Sequence, residues 1–268
     1  MAVKLTEPSI SIIRLYNNYK SMRVRLEMRS DSPIMLSTGY NRAIQGMIYN
    51  LLSSELREFL HDKGYVYGNK RFKLFTFSRL LGRFSLRGSY MIFDKYVNLI
   101  ISSPVRRFIE ELCNSILQRE YLEMEINKVK VESIEFLQEP TIGEDVTVYT
   151  LSPIVVYSTL FTRDGKKKTY YYSPTEGEFS ELITINLNKK YHLLNKGNNM
   201  PDLQPPVSIK PLIRPNEVIT SFKGTVIKGY VGKFKIIGNK ELILTGYRCG
   251  LGTKNSAGFG MIEVLHND

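Results

Sequence analysis

The sequence predicts an α+β protein of two tandem ferredoxin-like domains, each with the element order β-α-β-β-α-β. Three observations lead there. The 268 residues suffice for two small domains at ~150 residues each. Apolar spacing alternates between the strand period and the helix period in the same order in both halves. The stretch Pro140-Thr141-Ile142-Gly143 then falls between the halves as a boundary, giving an extension over 1–21 and domains over 22–140 and 141–268. A hydrophobic content of 43% with 24% charged residues excludes disorder, and no apolar run approaches the ~20 residues of a membrane span.

Met22 to Arg29 alternates apolar and polar, as a half-buried strand does. From Tyr40 the spacing of Ile44, Met47, Ile48, Leu51 and Leu52 marks one face of a helix. Leu56, Phe59 and Leu60 continue in a second helix that stops at Gly64. Lys73–Leu80 reads as a strand, Tyr90–Ile101 as a hairpin, Val105–Leu117 as a helix and Glu123–Leu137 as an alternating strand. The second half opens with strands over Val146–Val156, followed by a hairpin tipped by Arg163 to Lys168. A helix over Glu176–Leu194, strands Val207–Ile213 and Glu217–Tyr230, a helix Lys240–Arg248 and a last strand Met261–Leu265 complete the order.

The formal net charge is +11, and two segments own it. Lys63, Lys70, Arg71, Lys73, Arg79, Arg83 and Arg87 stand in 63–87 without an acid. Lys223, Lys228, Lys233, Lys235, Lys240, Arg248 and Lys254 stand in 223–254 against Glu241 alone. Such concentration suits a polyanion surface better than general solubility, with two solvated faces as the alternative. The aromatics interleaved with the first segment can stack on unpaired bases, but strand alternation assigns most of them to packing. Only Cys113 and Cys249 are present and no export signal is visible, so the expected location is a reducing cytoplasm. Three scattered histidines, with His192 read as a helix-surface residue, make no zinc spacing. Neither a metal nor a cofactor is expected.

Gly246, Gly250, Gly252, Gly258 and Gly260 fall within one short stretch that also holds Arg248 and Lys254. Free N–H groups beside two cations would make a phosphate cradle, and a set of tight turns is the equal alternative. The spacing is neither a P-loop nor a dinucleotide fingerprint.

That loop, Gly250-Leu251-Gly252-Thr253-Lys254-Asn255-Ser256-Ala257-Gly258-Phe259-Gly260, resembles the C-terminal signature of the CRISPR-associated repeat-RNA processing endoribonucleases of the RAMP superfamily. Upstream, Ile44–Asn50, Phe59-Leu60-His61 and Lys73–Ser78 resemble that family's first helix and active-site region. The resemblance spans about Met22 to Leu265. It implies two ferredoxin-like domains and metal-independent cleavage of CRISPR repeat RNA by 2′-hydroxyl attack. The products would be a 2′,3′-cyclic phosphate and a 5′-hydroxyl. Tyr49, His61 and Lys73 stand at the positions matching the family's catalytic residues. A non-catalytic RNA-binding subunit of a surveillance complex is the alternative. The resemblance also allows other CRISPR effector subunits as partners, and either a monomer or a homodimer.

The chemistry of those three residues can be argued separately. Histidine gives or takes a proton near neutrality, lysine stabilises charge on phosphoryl oxygens, and tyrosine can orient the nucleophile. Each also has a plain structural role open to it: a helix-end cap for His61, half-buried packing for Tyr49, a solvated strand position for Lys73. Twelve residues of straight helix would hold Tyr49 and His61 ~18 Å apart, so a shared site requires a break. Ser53-Ser54 supplies it, with Glu55 and Glu58 early in the new helix. Expected RNA contacts are Lys70, Arg71, the hairpin-tip Lys166, Lys167 and Lys168, Arg248, Lys254 and Asn255, with the backbone at Gly250, Gly252, Gly258 and Gly260.

Overall fold

The protein is described here by a computed structural model covering residues 13–14, 22–161, 164–195 and 200–265. Each half builds one antiparallel sheet of the expected topology. In the first, the neighbours run Asn127–Phe136, Arg23–Arg29, Tyr96–Ser102, Thr76–Phe77. In the second they run Ile262–Leu265, Asp145–Thr150, Lys233–Ile237, Ser208–Pro211. Both orders are fourth, first, third, second in chain order, which is the ferredoxin-like arrangement. Of the expected extension, only Ile13–Arg14 is described; it lies parallel to Asn127–Phe136. The rest of 1–21, Arg163 and His266 lie outside the described residues.

Alternation explains the first strand. Val24, Leu26 and Met28 are fully buried, while Arg25 and Arg29 pair across the strand with Glu135 and Glu132. Helices α1 (Asn41–Asn50) and α3 (Arg106–Leu117) cover the core, α1 through Ile44, Met47 and Ile48 and α3 through Phe108, Ile109, Leu112 and Ile116. Between them lies the short α2 (Ser54–Glu58). The second core gathers around α4 (Gly177–Leu194) and α5 (Lys240–Cys249), with Phe179, Ile183, Leu187, Leu242 and Ile243 facing inward. Among the described residues, no helix is long and apolar enough to cross a membrane.

Several expected elements differ. The strand Lys73–Leu80 shrinks to Thr76–Phe77, because Leu74 takes a left-handed φ of 53° that breaks extended backbone. Leu74, Phe75 and Phe77 are consequently all buried instead of alternating between faces. Tyr90–Ile101 is not a hairpin: Tyr90–Phe93 pairs with Phe84–Arg87 and Ile34–Ser37, and Tyr96–Ser102 joins the main sheet. Glu123–Leu137 is a hairpin, Leu122–Met124 against Asn127–Phe136, turning at the positive-φ Glu125. Glu217–Tyr230 is likewise two strands, Asn216–Phe222 and Thr225–Val231, turning at Lys223-Gly224 with φ of 51° and 77°. Lys233–Ile237, a central strand, escapes the periodicity reading because lysines flank its inward Phe234.

The halves grip each other through polar contacts. Arg23, 2% exposed on the first strand, donates to the carbonyls of Tyr247 (2.6 Å) and Ile262 (3.0 Å) and to the Glu263 carboxylate (3.0 Å). Its guanidinium lies 3.6 Å from the Tyr247 ring centroid. Ser102 donates to the Arg248 carbonyl, and Arg248 makes a two-pronged pair with Glu139 at 2.6 and 2.7 Å. His192, expected on a helix surface, is 1% exposed, with Nδ1 3.0 Å from the Tyr67 hydroxyl of the first half. Its helix face is covered by the other half, which sequence periodicity does not report.

Candidate functional site

The path from Tyr49 to Lys73 is a sequence of short, capped turns. Helix α1 ends at Leu51. Ser53 caps α2, its Oγ accepting from Leu56 N–H at 3.3 Å. The Ser53 N–H donates to Glu111 of α3 at 2.9 Å, and Arg107 ties Glu111 to Glu55, so the break is held from outside as well. Helix α2 widens into a π-helical turn, Phe59–Lys63, and stops at Gly64. Gly64 has a φ of 64°, and a Cβ there would meet the Phe72 carbonyl at 2.7 Å, so only glycine permits the reversal. A hairpin, Tyr65–Tyr67 against Lys70–Phe72, then delivers Lys73.

Lys73 Nζ donates to the Tyr49 hydroxyl at 3.0 Å. Tyr49 packs edge-on against Phe75, with ring centroids 6.0 Å apart, and burial raises its phenol pKa well above the ordinary value. Lys73 is pulled below the usual lysine range by burial and then by the charge of Lys223, against an opposing effect of Asp62. Lys223 sits at the turn of the second-half hairpin. Its neighbour Ser221 comes so near the first half that a Cβ on Gly39 would lie 3.1 Å from the Ser221 carbonyl. Sequence reasoning counted Lys223 in a basic segment but did not place it at this site.

His61 is 71% exposed, and its Nδ1 lies 2.5 Å from the Asp62 carboxylate. Among the described residues no hydrogen bond joins it to Tyr49 or Lys73. Its neighbour Asp62 accepts from Arg71 at the backbone carbonyl (2.7 Å), and the Asp62 charge acts on Lys73.

Beside the pair opens a cleft of ≈ 580 Å³ between the halves. Lys70, Arg71 and Lys73 line it from the first half; Tyr157, Ser158, Asn186, Lys189, Lys190, Lys254, Asn255 and Ser256 line it from the second. The two basic segments therefore do meet, through Lys70–Lys73 and Lys254. Much of the second segment is neutralised elsewhere: Lys228 by Glu217, Lys235 by Asp145 and Arg248 by Glu139. Lys166, Lys167 and Lys168 are exposed toward the tip of the hairpin whose base lines the cleft, and Lys166 pairs with Asp164 at 2.9 Å.

The glycine-rich loop departs from an open cradle. The amides of Gly250, Gly258 and Gly260 are spent on the carbonyls of Gly246, Asn255 and Pro153. Its glycines serve close packing instead. Added Cβ atoms would meet Asn255 Nδ2 at Gly250 (2.6 Å), the Val155 carbonyl at Gly252 (2.4 Å), the Phe77 ring at Gly258 (2.4 Å) and the Leu251 carbonyl at Gly260 (2.0 Å). Asn41 and Gln45 of α1 donate to the carbonyls of Ala257 and Ser256, at 2.8 and 2.6 Å. The helix that carries Tyr49 is thus fastened to the loop that carries Lys254. Lys254 itself stands over Tyr157, with Nζ 5.3 Å from the ring centroid. Among the described residues no group of three His, Cys, Asp or Glu side chains is arranged to hold a metal ion.

Comparisons with known proteins show the family and the fold. The family described as CRISPR associated protein Cas6, C-terminal, matches residues 137–264. The CRISPR-associated endoribonuclease Cas6 1 of Methanocaldococcus jannaschii is 29% identical over 253 residues, covering 91% of this chain and 92% of that one. The CRISPR-associated endoribonuclease Cas6 of Pyrococcus furiosus is 30% identical over 230 residues, covering 84% and 81%. A solved structure described as CRISPR associated protein Cas6 superposes with a TM-score of 0.73 at 27% identity, over 92% of this chain and all of that one. The product of a Cas6-related gene from Pyrococcus furiosus superposes at 0.80 with 22% identity, a likeness of fold.

Proposed function

This chain belongs to the Cas6 family of CRISPR-associated endoribonucleases, and from that premise we propose that it cuts CRISPR precursor RNA within its repeats without a metal ion. The observation that carries the mechanism is the 3.0 Å contact between Lys73 and Tyr49 at the wall of a cation-lined cleft spanning both domains. RNA lies in that cleft, its phosphates met by Lys70, Arg71, Lys189 and Lys254.

The reaction is a transesterification. The 2′-hydroxyl preceding the scissile bond loses its proton and attacks phosphorus, the P–O5′ bond breaks, and the departing 5′-oxygen takes up a proton. The products are a 2′,3′-cyclic phosphate and a 5′-hydroxyl, with no water consumed. Lys73, as an ammonium, stabilises the negative phosphorane oxygens. Tyr49 accepts the lysine's hydrogen bond, which frees its own O–H to donate to the phosphate or the nucleophile. Burial keeps that phenol protonated. His61 is the proton-transfer residue: a carboxylate at Nδ1 fixes the Nδ1–H tautomer and leaves Nε2 to exchange the proton.

Incubating repeat RNA with the protein in excess EDTA tests this. Cleavage to a 2′,3′-cyclic end, lost in His61→Ala while RNA binding survives, is the expected result. A requirement for magnesium sinks the chemistry. Binding without cleavage by the wild-type protein would instead make the chain an RNA-holding subunit.

A further inference from the structure

One ionised side chain at the cleft has no part in that mechanism and is not a surface residue. Lys190 of α4 is only 2% exposed. Its Nζ donates to the carbonyls of Gly250 (2.7 Å) and Gly252 (3.2 Å) and to Asn255 Oδ1 (2.8 Å), which uses all three ammonium protons. None of these partners is a carboxylate. A lysine buried without a counter-ion is costly, so its three bonds must accomplish something the fold or function needs.

Their common target is the glycine-rich loop. Gly250 and Gly252 stand on its incoming limb. Asn255 stands at its far bend and passes the tie on, its Nδ2 donating to the carbonyls of Leu251 and Phe259 at 3.0 Å each. One ammonium and one amide thereby fasten both limbs. Between them project Lys254, Asn255 and Ser256, the part of the loop that lines the cleft.

We infer that Lys190 is a positioning residue for RNA, an internal cation that holds the glycine-rich loop in the shape that presents Lys254 to the bound strand. The inference rests on the RNA reading of the cleft. The titratable groups that share the cleft wall with Lys190 are Cys249 of α5, whose thiol burial pushes up to about 11, and Lys70, Arg71, Lys73, Tyr157, Lys189 and Lys254. Burial pulls Lys190 down to about 8, so above that pH it keeps two protons for three acceptors and the tie weakens.

The test has two independent readouts. Hydrogen exchange of the loop amides of Leu251, Gly258 and Gly260 is compared in wild type, Lys190→Met and Asn255→Ala, without RNA. Asn255→Ala leaves α4 intact should Lys190→Met fold poorly. Exchange at least tenfold faster in a folded variant is expected, and unchanged exchange overturns the inference. Repeat-RNA affinity is then measured at pH 7 and 9.5. Lys190→Met should bind about tenfold more weakly at pH 7, a larger effect than on single-turnover cleavage, and its deficit should shrink at pH 9.5. A loosened loop with undiminished affinity, or a deficit independent of pH, also overturns it. A wild-type protein with a protected loop and no affinity for repeat RNA refutes the RNA reading instead, and leaves the loop tie to be judged by exchange alone.

Discussion

Among residues, the sharpest expectations concern the lysines, because three of them share a chemical identity and differ only in surroundings. Lys73 is half-buried and already bonded to Tyr49, so Lys73→Ala and Tyr49→Phe should each lower single-turnover cleavage by about 10²-fold. Repeat-RNA affinity should stay within a few-fold, and an equal loss of both would move the pair from chemistry to binding. Lys223 acts on Lys73 through its charge. Removing it in Lys223→Ala should raise the Lys73 pKa, and an alkaline limb of the cleavage profile set by Lys73 should move upward. Lys190 carries a stability consequence whose sign is fixed. Its pKa falls from 10.5 to about 8 on folding, so between those values the unfolded chain holds the proton and the folded one has released it. Stability of the wild type relative to Lys190→Met should therefore rise from pH 7 to 9.5 in urea titrations, because relief of the buried charge outweighs the one loop hydrogen bond lost with the proton. Motif resemblance singled out Tyr49, His61 and Lys73, of which the structure joins Lys73 to Tyr49 and leaves His61 apart, on Asp62. Lys190 was not legible: in Asn188-Lys189-Lys190 nothing distinguishes a cation turned inward from one turned outward. Arg248 was misjudged for the converse reason, since its acid, Glu139, lies far away in sequence.

At the level of elements, the helix break was readable and the strands beside it were not. Ser53 announces itself because a serine ahead of acids is local capping chemistry, and Ser53→Ala should cost about 1 kcal/mol in thermal or urea unfolding. It should also reduce cleavage more than binding, because His61 is placed by the helix that Ser53 starts. The strand Thr76–Phe77 was read as longer because no composition signal marks Leu74 as left-handed. Its carbonyl is held by Ser103 at 2.8 Å, a tertiary contact. The hairpin turn at Lys223-Gly224 was passed over within a single strand read over Glu217–Tyr230, although a glycine after a polar residue is a turn signal that could have found it. For the glycine-rich loop the sequence left a phosphate cradle and a set of tight turns equally open, and the packing around its glycines favours the turns. Gly258→Ala would drive a Cβ into the Phe77 ring at a φ of 82°, so loss of folded protein, above a mere change in RNA affinity, is the expected outcome.

Across the whole molecule, the meeting of two distant basic segments in one cleft was foreseeable from charge clustering, whereas the joint between the halves was not. The cleft predicts a salt dependence: log affinity for single-stranded repeat RNA should fall linearly with log salt. Lys254→Ala should make that slope shallower by about 0.7, the share of one phosphate. An unchanged slope would place Lys254 off the RNA path. Arg23 escaped notice because an arginine on a strand reads as a solvent-facing residue until the second sheet covers it. Cutting it to Ala strands the carbonyls of Tyr247 and Ile262 in the interior and should destabilise by on the order of 3 kcal/mol. That arginine also bears on how the molecule comes apart. Its donors reach the last helix and the last strand from the first strand, so neither half can lose its structure without stripping hydrogen bonds from the other. Heat should melt the chain in a single calorimetric transition whose van't Hoff and measured enthalpies agree, although the topology repeats twice. The duplicated architecture should behave as one cooperative body, and the halves, expressed apart, should recover activity only when mixed.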